Sequence, residues 1–397
     1  MPERTSTSGW ARVAFGDVVR LSRERSADLA REGRERYVGL EHIDPNDLAI
    51  RRWGRVEEGT TFTSAFRGGQ TLFGKRRAYQ RKVAVPDFDG VCSSDIYVLE
   101  PQTAKLLPEL LPYLCQSEGF FTHAVGTSAG SLSPRTNWDS LAKFEFVLPP
   151  IDDQRRIAAA LGAYDLTISA LTNARERAAH LRASLLAQFF PDTGEGHHAS
   201  LQQLIEDGDL LFQTGPFGTV LAASAFRPRG WPVVNPTHIR DGQIVHIGGP
   251  YVDDETARRL ARYRMRADDV LLARKGEVDK ACVATEQHDG WIVGSDCILL
   301  RSQSPKLNGR HLLLFLQSPG TGRVLRSLAH GTVMPGLNEK MLARLQIPIG
   351  EAQRQQQEVA LASEVDSLRS AFGARARSAR QLRNAFLSHV FGDRATR

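Results

Sequence analysis

The chain repeats itself, and the repeat limits what it can fold into more than any other feature. Residues 181–192 read LRASLLAQFFPD and residues 382–393 read LRNAFLSHVFGD, with identities at Leu, Arg, Leu, Phe and Asp. The offset, Leu181 to Leu382, is 201 residues. Upstream, Leu141-Ala142-Lys143-Phe144 answers Leu342-Ala343-Arg344-Leu345, and Ser94-Asp95 answers Ser295-Asp296, at the same offset of 201. Several short matches in one order at one spacing define a duplication that covers nearly all of the 397 residues. A chain of this length also exceeds one ordinary core, so two copies of one unit is the expected organisation.

Each copy ends in a long helical pattern. In the first, Ile157, Leu161, Tyr164, Ile168, Leu171, Ala178, Leu181, Leu185 and Phe189 follow one another mostly in steps of three and four, as in a coiled-coil seam. Pro149-Pro150 and Asp152-Asp153 suit its start, and Pro191 with Gly194 its stop. The second copy offers Val365, Leu368, Phe372, Ala379, Leu382, Phe386 and Val390, with Gly373 costing about 1 kcal/mol relative to Ala. Helices of this length would reach about 50 to 60 Å. Two of them closing matched units are expected to pair with each other.

The parts before the helices carry short strand-like runs: YVGL, KVAVP and DIYVL in the first copy, WPVV, DVLLA, WIVG and CILLR in the second. Helical stretches such as LLPELLPYLCQS and RHLLLFLQSP lie between them, so the expected class is mixed α/β. The expected divisions are a domain at 1–147, a helix at 148–192, a linker at 193–200, a second domain at 201–346 and a second helix at 347–393.

Enzymatic motifs are absent from this reading. There is no P-loop lysine motif, and Asn235-Pro236-Thr237 and Pro149-Pro150-Ile151 each give only part of an adenine methyltransferase loop. Glu277-Val278-Asp279-Lys280 is a weak approach to a nuclease set, while Gly215-Pro216-Phe217-Gly218 and Gly68-Gly69-Gln70 read as turns. His197-His198 and the scattered Cys92, Cys115, Cys282 and Cys297 lack metal-ligand spacing, and unpaired cysteines suit a reducing cytoplasm. No apolar run reaches membrane-spanning or signal-peptide length, so a cytoplasmic protein without membrane contact is expected.

What the chain does concentrate is positive charge, within a net charge of +6. Lys75, Arg76, Arg77, Arg81 and Lys82 surround Tyr79 in the first copy; Arg258, Arg259, Arg262, Arg264 and Arg266 precede Arg274, Lys275 and Lys280 in the second. Such clusters neutralise phosphates and, through arginine, can read guanine edges. The candidate DNA contacts are therefore Lys75, Arg76, Arg77, Tyr79, Arg81, Lys82, Arg264, Arg266, Arg274, Lys275 and Lys280.

LPPIDDQRRI at 148–157 opening a long helix, its diverged copy IPIGEAQR at 347–354, and the duplication together resemble the specificity subunits of type I restriction-modification systems. Gly215-Pro216-Phe217-Gly218, DVLLARKG at 269–276 and Gly331-Thr332 add to the likeness. The resemblance implies two tandem target recognition domains, each reading half of a bipartite, asymmetric double-stranded DNA site. It implies an antiparallel coiled coil between the helices, on which two methyltransferase (M) subunits dock and restriction (R) subunits join. On that reading the chain is no enzyme and binds no cofactor or metal. S-adenosylmethionine, ATP and Mg²⁺ would serve partners that methylate adenine N6 and cleave DNA. Ile157, Leu161, Tyr164, Ile168, Leu171, Leu185, Leu368, Phe372, Leu382 and Phe386 are the expected docking positions. The second helix departs from the pattern: a two-residue deletion sets Gln353 opposite Gln154, Ile349 opposite Pro150 and Gln356 opposite Ile157. A self-sufficient methyltransferase or nuclease, or a coiled-coil protein scaffold, are the alternatives.

Overall fold

The computed structural model describes residues 9–26, 28–29, 31–192, 197–329 and 336–392. Gly331-Thr332, Asp393 and the linker residues 193–196 lie outside the described residues. The chain divides into two compact units, Met1–Thr172 with Ala374–Arg397, and Asn173–Gly373. This division does not follow the expected domain ends, because each long helix is shared between the units.

In unit 1 a four-stranded sheet runs in the order Val19–Leu21, Ile96–Pro101, Thr71–Gly74, Val83–Ala84. A smaller sheet runs Gly54–Arg55, Arg36–Val38, Gly90–Cys92, Ser64–Phe66, its two middle strands parallel. Ala11–Ala14 pairs with Glu145–Leu148 just before the first long helix, Ile151–Phe189. Unit 2 repeats these parts. Its main sheet runs Leu210–Thr214, Cys297–Ser302, Val270–Ala273, Ala281–Val283, and its smaller one Tyr251–Val252, Trp231–Val234, Ile292–Val293. The mixed α/β class therefore holds. The stretch read as a linker is partly strand: His198–Ser200 pairs with Gln346–Pro348, since Ala199 buries its methyl there and unit 2 begins earlier than the Gly-rich run suggested. Among the described residues no helix is long and apolar enough to cross a membrane.

The long helices span 39 residues, Ile151–Phe189, and 40 residues, Ala352–Phe391, and Gly373 sits buried inside the second without breaking it. Their buried faces differ from the expected seam. Ile157, Leu161, Ala178, Val365, Ala379 and Val390 are buried as expected, but Leu181, Leu368 and Leu382 are exposed by 51%, 52% and 58%. A face one position along turns inward instead: Arg182 and Leu186 in the first helix, with Phe190 just past its end, and Arg383 and Leu387 in the second. A seam drawn through apolar residues alone misses this face, because its inward positions include two arginines.

Those arginines explain the exchange. In unit 1, Arg383 Nε lies 2.6 Å from Asp165 Oδ1, and its Nη2 donates to Gln116 Oε1, with the arginine side chain only 4% exposed. In unit 2, Arg182 Nε donates to Asp366 at 2.9 Å and its Nη2 to Gln317 Oε1 at 2.5 Å. Arg182 and Arg383, Asp165 and Asp366, Gln116 and Gln317 are each 201 residues apart. Each clasp thus takes its Arg from one long helix, its Asp from the other and its Gln from a globular helix end. Within unit 1 the contacts Asp165–Arg383, Tyr164–Phe386 and Thr172–Arg380 progress oppositely along the two helices.

A second duplicated device corrects the expected deletion. Gln154, fully buried, accepts from Leu107 N and donates to the carbonyls of Lys105 and Pro149. Gln355 accepts from Asn308 N and donates to the carbonyls of Lys306 and Gly350. Every one of these pairs is 201 residues apart, so Gln355, not Gln353, is the counterpart of Gln154. Glu351 then stands opposite Pro150, and Glu358 opposite Ile157. The Gln-Arg identity at 353–354 is a local coincidence, overruled by the buried amide.

The corrected register exposes a difference between the units. Unit 1 packs apolar Leu110 and Ile157, whereas unit 2 has His311 and Glu358 there, with Nε2 and Oε2 2.8 Å apart and Arg354 also on Glu358. Burial lowers the His311 pKa below its ordinary 6.5, against the pull of Glu358. A depressed histidine stabilises the fold above the unfolded-state value and loses that contribution as pH falls through it. Unit 2 is therefore expected to weaken below pH 6.5, by up to about 1.4 kcal/mol per pH unit for this proton. Urea denaturation across pH 5 to 8, about that range, should show H311L/E358I, the unit 1 pair, with a shallower acid loss. An unchanged slope would remove His311 as its source.

Candidate nucleic-acid interface

Lys75 and Arg76 follow the strand Thr71–Gly74, and the backbone fixes them from two sides. Lys75 N donates to Asp95 O and its carbonyl accepts from Thr136 N. In unit 2, Arg274 N donates to Asp296 O and its carbonyl accepts from Leu337 N. The basic runs of the two copies thus occupy equivalent places. Asp95 and Asp296, the shared aspartates of the sequence repeat, anchor the next residue: Arg76 Nη1 is 3.2 Å from Asp95, and Lys275 Nζ 3.0 Å from Asp296. Burial alone would raise the Asp95 carboxyl, but bonds from Arg135 and Arg76 outweigh it and hold it below the ordinary aspartate value. The aspartate stays ionised and holds both guanidiniums at the strand end.

The remaining candidates separate by what they already touch. Arg77 and Arg81 have positive φ, 53° and 55°, bracketing a short turn that leaves Tyr79 55% exposed. A left-handed non-glycine backbone at both ends is strained and fixes the turn that presents the tyrosine. Arg81 itself is engaged by Asn46 and Glu118 and stacks on Phe121, while Lys82 Nζ donates to Leu40 O at 2.6 Å. Lys75 lies over the Tyr97 ring. In unit 2, Arg264 stacks on Trp231 and donates to Ala257 O, Arg274 donates to Leu337 O beside Phe217, and Lys280 pairs with Glu277. Arg266 is exposed. The structure brings Lys75, Arg76, Arg77 and Tyr79 to one loop, and places Arg81 and Lys82 in intramolecular contacts.

One cation escaped the sequence reading. Arg36, in the smaller sheet of unit 1, has its guanidinium carbon 4.4 Å from the Trp53 ring and 4.8 Å from the Phe88 ring. Its signal in the sequence is faint: the run Arg51-Arg52-Trp53-Gly54-Arg55 mixes arginine and tryptophan, but lies 15 residues or more from Arg36.

Of the expected docking positions, Ile157 and Leu161 belong to the unit 1 core, which also holds Leu387 and Val390. Tyr164 faces Phe386, and Ile168, Leu171, Leu185 and Phe372 are half-buried. Leu368 and Leu382 are open, as are Leu166, Leu181 and Leu361, which the seam did not offer as docking positions.

Residues 7–179 match the family described as the type I restriction modification DNA specificity domain. The matched stretch is a little under half of the 397 residues. It contains the whole basic loop of unit 1 and most of the first long helix. Over 196 residues, 46% of its length, the chain is 26% identical to the EcoDI type I restriction enzyme specificity subunit of Escherichia coli, covering 42% of that relative. Over 143 residues, 35% of the chain and 34% of the relative, it is 24% identical to the MjaX specificity subunit, itself putative, of Methanocaldococcus jannaschii. The matches thus span less than half the length of these curated relatives. Two solved structures share the fold across 98% of the chain. One, from work on complex assembly and conformational transition of the type I R-M system, has TM-score 0.60 at 20% identity and 99% coverage of that chain. The other, the type I restriction-modification S subunit from M. genitalium, has TM-score 0.63 at 13% identity and 98% coverage. The likeness in fold thus reaches beyond residues 7–179 to 98% of the chain.

Proposed function

We propose that the chain is the DNA-reading subunit of a type I restriction-modification complex, with each unit's globular part recognising one half of a bipartite, asymmetric duplex site. The observation that carries this reading is the duplicated basic loop on Asp95 and Asp296: one framework, held by the same backbone bonds, presents different side chains in each copy. An equivalent frame with unequal faces suits two different half-sites. Phosphate contacts set the register, and a few base-edge contacts in each unit set the sequence.

The long helices then act as an antiparallel coiled coil that fixes the number of base pairs between the half-sites. Two methyltransferase subunits dock on them, with Leu166, Leu181, Leu361, Leu368 and Leu382 as open apolar positions. Restriction subunits complete the assembly. Adenine-N6 methylation and ATP-dependent cleavage belong to those partners, which bind S-adenosylmethionine, ATP and Mg²⁺.

The test is to assemble the chain with its methyltransferase subunits and select bound sequences from randomised duplex. Salt-sensitive enrichment of two motifs at a fixed spacing is expected. Exchanging residues 201–340 for those of a relative should change one motif only. Lengthening the helices by one turn should change only the spacing. Methyl transfer or cleavage by the chain alone, or no sequence selection by the assembly, overturns the reading.

A further inference from the structure

Arg36 is anomalous among the arginines of its surface. Its neighbours are paired: Arg34 with Glu24, Arg51 with Asp47, Arg52 with Asp44, and Arg55 with Glu57. Arg36 instead rests against the adjacent rings of Trp53 and Phe88, and among the described residues no carboxylate or carbonyl accepts from its guanidinium. Asp89, beside Phe88, accepts instead from Gly68 N at 2.8 Å.

The arrangement also costs something. Arg36 stands directly across from Arg55 in the antiparallel pair of strands, and like charges at opposed sheet positions destabilise. Two glycines are needed to make it: a Cβ on Gly54 would strike the Tyr37 ring, and a Cβ on Gly90 would meet the Arg36 carbonyl. The sheet is built tightly around a cation that serves none of its own carboxylates. Trp53, which covers one face of the guanidinium, is 39% exposed, so the stack opens to solvent.

The two rings, 5.4 Å apart and tilted by 57°, form an aromatic corner under the guanidinium, and its N–H groups are left without an acceptor among the described residues. Contact with both rings restricts the side chain, so less of its entropy remains to be lost on binding. A fixed fork of donors matches two acceptors lying in one plane, as guanine O6 and N7 do in the major groove. Two phosphate oxygens can meet the same fork, and what separates the two is sequence preference, which only a base contact confers. In unit 2 the stack of Arg264 on Trp231 differs, because its Nε–H is spent on Ala257 O.

We propose that Arg36, held by Trp53 and Phe88, is a specificity-determining residue that reads a guanine edge in the half-site recognised by unit 1. This rests on the DNA-reading function proposed above. Sequence selection from randomised duplex by the assembly carrying the full chain provides the test, using R36Q and R36K beside the parent. Both variants should lose about ten- to a hundredfold of the preference for G at one position of one motif. R36K keeps the charge but not the fork. The second motif and the spacing should stay as in the parent, which also reports an intact fold. W53A, which removes one of the two rings that restrict the guanidinium, should weaken the same position to a smaller degree. Uniform weakening over all sequences, with a salt slope reduced by about one, would make Arg36 a phosphate contact and overturn the inference. Unaltered motifs in both variants would overturn it as well. If the parent assembly selects no sequence at all, the proposed function fails first.

Discussion

Replacing Arg383 with leucine is expected to destabilise unit 1 by about 3 to 5 kcal/mol. The mutation leaves the Asp165 carboxylate without its cation and Gln116 Oε1 without its donor, in a place where the arginine is 4% exposed. Burial raises the Asp165 carboxyl above the ordinary aspartate value, against the pull of Arg383 and Tyr113, so the clasp already bears a desolvation cost. Removing both charges should consequently recover much of the loss, and R383L/D165L is expected to be markedly more stable than R383L. Denaturant unfolding of the full chain followed by tryptophan fluorescence measures both. A single variant within about 1 kcal/mol of the parent would show that the clasp is solvated and dispensable. R182L should act likewise in unit 2, where Gln317 keeps a bond to Ala281 O.

Gln154 is expected to be nearly as sensitive. Its amide satisfies three backbone groups at once: the Leu107 N–H and the carbonyls of Lys105 and Pro149. Leucine fits the volume and satisfies none of them. Each buried group left unmade costs about 1 to 3 kcal/mol, so Q154L should lose about 3 kcal/mol or more. Glutamate separates bonding from packing, because a carboxylate can still accept from Leu107 N but would face two carbonyl oxygens. Q154E should be no better than Q154L at neutral pH and should recover in part as the carboxyl is protonated. Amide exchange at Leu107 gives a local reading, and protection unchanged from the parent in Q154L would refute the account. Gln355, with the matching three bonds, predicts the same pattern around Asn308.

Both devices lie where the sequence was hardest to read. The expected start of the first long helix fell three residues before Ile151, where Pro149-Pro150 and the acidic turn that follows mark an entrance locally, and that of the second, which lacks such a signal, fell five residues before Ala352. Periodicity misassigned the inner face at Leu181 and Leu382, since a rule that sends apolar residues inward has no place for an arginine whose partners lie on the other helix. The two-residue deletion was a related error: identity at Gln353-Arg354 outweighed a chemically decisive but isolated Gln355. The basic loop was legible as composition, yet whether a cation was free, as at the exposed Arg266, or spent, as at Lys82, was not.

The sequence by itself determined that there are two copies of one mixed α/β unit, each closed by a long helix, because duplication and periodicity are written along the chain. Only the tertiary structure decided how those copies are completed. The Arg–Asp–Gln clasps, the division of each helix between the compact units and the stacking of Arg36 join residues from 17 to 267 positions apart. Their energies depend on burial and on partners that no local pattern contains.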